Sequence, residues 1–284
     1  MRFAWVLNQD AELELARRGY NPAAKLLAQL EQHGVAARAL LGPDDVLIQP
    51  GFMPGGGFIG RAWCPTPLAL QKLRLAGVTP EPHPPAEILR LVNHRKFAFD
   101  LGGGLPGQQY VTHRDEIDAV LKVSQVWLCK RPMAFAGRGQ QRIARALDDK
   151  QSKWIEASLQ SDGLIIEPLI EPLLEVSVHG FIWRDERVAL GRVCVQEVSD
   201  KGVYRGVRLA ADELHALESE ALFRQAHRVA EALAAAGYFG PFGIDAYRYE
   251  RQGKVSFCAL GEINARYTMG FVTGFPQHPS QISL

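Results

Sequence analysis

The chain has 284 residues, 47% of them hydrophobic, and a formal net charge of +1. That length can bury a large core and divide into two or three lobes, and the near-zero charge gives no drive toward nucleic acid or a membrane surface. The cysteines at 64, 129, 194 and 258 have no metal-ligand spacing, so buried thiols in a reducing cytoplasm are expected. The opening MRFAWVLNQD turns polar too soon for a signal peptide, and no apolar run approaches membrane-spanning length.

Phe3 to Leu7 reads as a buried strand. A helix is predicted over 22–34, with Asn21 as N-cap, Pro22 at N1 and Gly34 as the stop. Ala36 to Leu41 and Val46 to Ile48 read as short strands, which together suggest a small open α/β layer. The glycines of GFMPGGGFIG (51–60) do not make a dinucleotide fingerprint. That fingerprint occupies the first strand-to-helix turn, which here is LNQDAE. A flexible surface loop is expected instead. Thr66 to Ala76 reads as helical, and the proline-rich VTPEPHPP (78–85) predicts a boundary near residue 90.

A helix is predicted over 86–101, carrying His94, Arg95 and Lys96, followed by a glycine-rich break that returns to an extended segment through Val111. After a short helix at 116–121, VWLCK (126–130) reads as a buried strand ending in Lys130. The next loop carries Gly137, Arg138 and Gly139. Its backbone N–H groups suit close approach to phosphate, with Lys130 as a point charge; a plain surface turn is the alternative. A helix over 149–159 leads to residues 163–178, where Glu167 and Glu171 each precede proline and are therefore extended. Such an apolar linker offers backbone groups to a purine edge and Glu175 to ribose hydroxyls, or serves as a crossover between lobes. Two antiparallel strands, 177–183 and 187–195, precede a polar loop over 196–208 and a long amphipathic helix over 211–236.

Gly243 to Tyr249 and Val255 to Ile263 form a predicted hairpin. With Gln252-Gly253 at the tip, Arg251 faces Lys254 and Asp245 falls opposite Leu260, on the face of Glu262, Asn264 and Arg266. Two carboxylates and an amide oxygen are hard donors suited to Mg²⁺, and the adjacent arginine suits a phosphate or carboxylate.

The order Lys130, small-residue loop, extended linker, Glu175, Asp245 and Glu262-Ile263-Asn264-Ala265-Arg266 resembles the ATP-grasp superfamily over nearly the whole chain. The resemblance implies an open α/β pre-ATP-grasp domain (1–90), then a two-lobed α/β ATP-grasp domain: a central lobe with its lid (91–168) and a C-terminal lobe with the metal site (169–284). It further implies that Lys130 contacts phosphate and that residues 134–140, with Gly137, Arg138 and Gly139, form the lid. Glu167, Leu169 and Ile170 fall in the adenine hinge, and Glu175 at the ribose. Asp245, Glu262 and Asn264 become ligands of two Mg²⁺ ions, with Mn²⁺ as a substitute, and Arg266 holds the transferred phosphate or acyl intermediate. Arg95 or Lys96 supplies a further basic contact to ATP.

The expected activity is ligation of a carboxylate to an amine through an acyl phosphate, with ATP as co-substrate, in the cytoplasm. Arg192, Arg205 and Arg208 are candidates to grip the carboxylate, or are ordinary surface charge. Another ATP-grasp chemistry (kinase or carboxylase), a non-catalytic ATP-binding module and a Rossmann-type oxidoreductase are the competing readings. Small-molecule substrates are expected, with a carrier protein or a second copy of the chain as further partners, and neither nucleic acid nor membrane. His113 and His179 read as structural.

Overall fold

The computed structural model describes residues 1–49, 51–123, 125–134, 139–144, 146–198 and 204–283. Three sheets follow one another along the chain. The first is parallel, with β1 (Phe3–Val6), β2 (Val46–Leu47), β3 (Ile59–Ala62) and β4 (Thr79–Pro80) in the order β2-β1-β3-β4. Helices α1 (Ala11–Ala16), α2 (Ala24–Ala37) and α3 (Pro67–Leu75) connect its strands. Because β2 and β3 lie on opposite sides of β1, the loops after β1 and β3 diverge and leave a crevice at the strands' carboxyl ends, where open α/β sheets place ligands.

Two predicted elements differ here. Residues 36–41 are not a strand: α2 starts at Ala24 rather than Pro22 and runs past Gly34, the predicted stop, to Ala37, and a 3-10 turn occupies Arg38–Leu40, burying Ala37 and Leu40 together. A short apolar run fits helix or strand equally by periodicity. The glycine-rich stretch is also not all loop, since its last two residues open β3, an interior strand. Gly60 belongs there because a Cβ would lie 3.0 Å from Leu73 and 3.1 Å from the Pro80 backbone.

The predicted helix over 86–101 is two helices, α4 (Ala86–Asn93) and α5 (Arg95–Asp100). His94 between them is extended, and its Nδ1 accepts from the Lys96 N–H at 3.1 Å. The second sheet is antiparallel, β5 (Gln109–Val111), β6 (Trp127–Lys130), β7 (Gln140–Ile143) and β8 (Leu164–Pro168), in the order β5-β8-β6-β7. Helices α6 (Arg114–Leu121) and α7 (Asp149–Leu159) pack on it over a core that includes Ile117, Trp127, Ile155 and Ile166. A capping box starts α7, with Asp148 accepting from the Gln151 N–H and the Gln151 side chain accepting from the Asp148 N–H.

The third sheet is antiparallel and larger. It contains β9 (Pro172–Ile182), β10 (Val188–Val198), β11 (Tyr204–Leu209), β12 (Gly240–Arg251) and β13 (Lys254–Asn264), in the order β11-β10-β9-β12-β13. The predicted polar loop over 196–208 is therefore largely strand among the described residues, with Gln196 turned toward Asp245 and Glu197 exposed. Helix α8 (Ala216–Ala235) covers the sheet, and α9 (Phe271–Gly274) follows it. One continuous core joins Phe3, Trp5 and Trp63 of the first sheet to Phe181, Phe242, Phe271 and Ile282. No described helix is long and apolar enough to cross a membrane. All four cysteines are buried and free.

Candidate active site

The predicted convergence on the final hairpin is present, with a different register. Arg251 faces Lys254 as expected, but Asp245 lies opposite Glu262 rather than Leu260. Between the Tyr247↔Cys258 and Asp245↔Glu262 pairs, β13 carries Ala259, Leu260 and Gly261 where β12 carries only Ala246. The surplus is taken up in a bulge, which simple alternation does not anticipate. Gly261 permits it: a Cβ there would lie 2.6 Å from the Tyr247 ring. The Leu260 carbonyl turns out of the ladder and accepts from the Gly104 N–H at 2.7 Å. An even shift preserves side-chain direction, so the two carboxylates still share a face and stand in direct cross-strand opposition.

Like charges directly opposite are destabilising in a sheet, and the surroundings of the pair show how it is compensated. Asp245 Oδ1 accepts from Gln196 Nε2 at 3.0 Å and Oδ2 from Asn264 Nδ2 at 2.9 Å. Burial, then the charge of Glu262, push the Asp245 carboxyl up to about 7, against the pull of Asn264 and Arg266. Glu262 Oε1 is held by Arg95 Nη2 at 2.8 Å. Arg95 also donates through Nη1 to the Arg131 carbonyl at 2.7 Å, and its N–H reaches Pro132 O at 3.0 Å. It therefore ties the segment after β6 to β13. Lys96 instead turns to Asp100 on the exposed side of α5. Of the two basic candidates, only Arg95 enters the site.

Arg266 is 13% exposed. It donates to Asn264 Oδ1 at 3.0 Å, to Tyr267 O at 3.0 Å and to Glu12 Oε1, and its Cζ lies 5.5 Å from the Trp63 ring centroid. Asn93, buried at the end of α4, clamps the intervening Ala265: Oδ1 accepts from its N–H at 2.9 Å and Nδ2 donates to its carbonyl at 3.3 Å. Neither Glu12 nor Asn93 was identifiable from the sequence. The only signal for Asn93 was an amide on the apolar face of the amphipathic helix AEILRLVN.

Lys130 Nζ pairs with Glu167 at 2.5 Å, with the two side chains 20% and 8% exposed. Glu167 thus points inward as the lysine's counter-charge. The Leu169 N–H is bonded to Val126 O at 3.1 Å, and Ile170 packs with Leu105, Tyr249 and Cys258. Glu175, opposite Tyr247, is half-buried, and burial raises its carboxyl while Lys130 lowers it. Gly139 closes the described side of the small-residue loop, its carbonyl accepting from the Arg131 N–H at 2.8 Å. Gly137, Arg138 and the side chain of Arg205 lie outside the described residues. Arg192 is exposed on β10, and Arg208 is engaged by Glu197 of β10 and by Glu213, which lies between β11 and α8. Neither is drawn to the carboxylate pair by a described contact.

The histidines stand apart from this cluster. His113 precedes α6 on the exposed surface. His179 is 2% exposed, with Nε2 3.2 Å from Ser177 Oγ and Nδ1 3.0 Å from Thr268 Oγ1. Burial lowers it from 6.5 to about 4. The unfolded chain therefore binds the extra proton between these values, and stability falls as pH drops through that window. The expected contribution is about 3 kcal/mol, lost between pH 6.5 and 4. Thermal midpoints measured from pH 7 to 4 should fall less steeply for His179→Asn than for the wild type; equal slopes would remove His179 from the account of acid sensitivity.

Among the described residues, no group of three or more His, Cys, Asp or Glu side chains gathers as a metal site. The donor set is Asp245, Glu262 and the Asn264 amide. Its oxygens suit Mg²⁺, and a cation would relieve the carboxylate opposition that lifts Asp245. The residues fit such an ion.

No protein-family model and no curated protein sequence matches the chain. Solved structures do. N5-carboxyaminoimidazole ribonucleotide synthetase from Thermus thermophilus and N5-carboxyaminoimidazole synthetase from Staphylococcus aureus, the latter complexed with ADP, are 18% and 12% identical. Each is matched over 94% of this chain and 72% of that one, with a TM-score of 0.53. D-alanyl-alanine synthetase A from Vibrio cholerae is 15% identical over 99% of this chain and 93% of that one, with a TM-score of 0.57. This chain has the ATP-grasp fold. Here Lys130 and Glu167 come from the second sheet, Glu175, Asp245, Glu262 and Asn264 from the third, and Arg95 connects the two.

Proposed function

We propose that this protein is an ATP-dependent ligase that joins a carboxylate to an amine through an acyl phosphate, releasing ADP and phosphate. The observation that carries the reading is the opposed Asp245–Glu262 pair, with Asn264 and Arg266 at the same strand end. This is a concentration of anionic oxygen donors beside a guanidinium, in a half-buried place. ADP in one matched structure and the name of the matched D-alanyl-alanine synthetase support it.

A carboxylate oxygen of the first substrate attacks the γ-phosphorus of ATP. The bond to the bridging oxygen breaks, and ADP leaves with its electron pair. The amine nitrogen of the second substrate then attacks the acyl carbon. The carbon–oxygen bond breaks, phosphate leaves with those electrons, and the nitrogen gives up a proton. Asp245, Glu262 and Asn264 would hold Mg²⁺, for which Mn²⁺ is a chemical substitute; when bound, it neutralises charge on the transferring phosphoryl group and leaving ADP. Lys130 meets phosphate oxygens as a point charge on leaving Glu167, and Arg266 holds the transferred group with planar donors. Charge stabilisation and positioning suffice for this chemistry, with no protein nucleophile.

The test is ADP release from Mg-ATP in the presence of pooled amino acids and small carboxylates. Release that depends on the pool is expected, and subdividing the pool then identifies both substrates. Binding of Mg-ATP without release from any pool would favour a non-catalytic nucleotide binder. Absence of both binding and release, or binding of NAD(P) by the first sheet, would overturn the reading.

A further inference from the structure

Arg266 reaches the site from the third sheet, but its orientation is set by the first. Glu12 lies in α1, in the loop region beyond β1, and comes to Arg266 across the crevice between the carboxyl ends of β1 and β3. Glu12 is 5% exposed. One of its oxygens accepts from Arg266 Nε, while the other, Oε2, is buried with no hydrogen-bond partner among the described residues. The ion pair is therefore what compensates this carboxylate for leaving water.

A guanidinium has five N–H bonds in one plane. Among the described residues three are assigned: Nε to Glu12, one on Nη1 to Tyr267 O and one on Nη2 to Asn264 Oδ1. Asn264 in turn donates to Asp245 at 2.9 Å. A continuous polar chain thus runs from Glu12 through Arg266 and Asn264 to the half-buried Asp245 carboxylate. With three donors fixed and the plane set beside Trp63, the two remaining N–H bonds, one on each terminal nitrogen, have a defined direction. Two such bonds match two oxygens of a phosphoryl group or an acyl phosphate.

We propose that Glu12 is a positioning residue for Arg266: it holds the guanidinium so that its two remaining N–H bonds are presented to the transferred phosphoryl group. This rests on the ligase reading. Helix α1 thereby contributes to the reaction through Arg266. Glu12→Gln keeps the shape but loses the charge-assisted bond.

The experiment compares wild type, Glu12→Gln and Glu14→Gln. Glu14, on the same helix, binds the Thr66 hydroxyl and the Leu68 N–H and serves as the control for a purely structural role. Glu12→Gln is expected to lower kcat for ADP release about 10- to 100-fold, the usual loss when a group that orients a reacting residue is removed. The KM for ATP should stay within about twofold. Glu14→Gln should leave kcat near wild type. The second readout is the ¹⁵N–¹H signal of Arg266 Nε, assigned with Arg266→Lys and recorded without nucleotide. It should be downfield and slow to exchange in wild type, and lose both properties in Glu12→Gln. Unchanged kcat in Glu12→Gln, or an equal fall in Glu14→Gln, overturns the proposal. If wild type releases no ADP from any pool, the ligase reading fails separately. The Nε signal then still decides the positioning: its persistence in Glu12→Gln overturns it, and its loss supports it.

Discussion

Glu262→Gln is expected to reduce pool-dependent ADP release by about 100- to 1,000-fold while leaving the fold as stable as wild type or slightly more so. The two halves of this expectation come from the same geometry. The glutamine keeps the shape of the side chain, and its oxygen can still accept from Arg95 Nη2, now 2.8 Å from Glu262 Oε1. The like-charge opposition across the strands disappears, and with it one of the causes that raise Asp245. The substitution thus relieves a local electrostatic penalty while removing an anionic donor that a cation and a transferring phosphoryl group require. The measurements are steady-state ADP release and a thermal midpoint, made side by side. Loss of activity with a midpoint within about 2 °C of wild type fits a functional carboxylate. Activity within a few-fold of wild type would exclude Glu262 from the chemistry, and a collapsed midpoint would make it a structural residue.

The sequence made this carboxylate pair legible because strand periodicity is robust to the error it contained. Counting back from Gln252-Gly253 put Asp245 opposite Leu260, two residues from its true partner, yet side-chain direction repeats every two residues and the shared face survived. The bulge itself was announced only by Gly261, whose role depends on a Tyr247 ring that alternation alone does not place there. The choice between Arg95 and Lys96 was illegible for a related reason. A single long helix was expected, and the extended residue His94 between α4 and α5 sets the direction of both side chains. Glu12 and Asn93 were out of reach because their partners, Arg266 and Ala265, lie 254 and 172 residues away. Local pattern carries no information about such pairings. What it did carry was the order of Lys130, Glu175, Asp245 and the Glu262–Arg266 stretch, on which the resemblance to the ATP-grasp superfamily rested.

The largest expected loss of stability is at Arg61, far in sequence from the residues it secures. Arg61 is an interior residue of β3 and its side chain is 1% exposed. Its guanidinium lies 3.6 Å from the Phe3 ring centroid. Nε and Nη2 form a fork with the two oxygens of Glu81 at 2.7 and 2.6 Å, while Nη1 and Nη2 donate to the carbonyls of Pro279 and Ile282 at 2.5 and 3.0 Å. One side chain therefore joins the parallel sheet, the segment after β4 and residues 279–282. Burial raises the Glu81 carboxyl, and Arg61 draws it back down. Arg61→Met is expected to cost about 3–5 kcal/mol at neutral pH, because it leaves a buried carboxylate without its counter-charge. In the variant the opposing pull on Glu81 is gone, so its folded-state value stands further above the reference of 4.5. A group raised in this way destabilises increasingly as pH rises from that reference toward its folded value, so the deficit should shrink on acidification toward pH 4.5. The double variant Arg61→Met/Glu81→Leu removes both charges and should recover most of the loss, since well-packed apolar side chains can replace a buried ion pair at little or no cost. Denaturant midpoints for wild type, single and double variants at pH 5 and pH 7.5 decide it. If the double variant is no more stable than the single, the lost carbonyl bonds to Pro279 and Ile282, rather than an orphaned Glu81, carry the energy, and attachment of the chain's last residues becomes the principal role of Arg61.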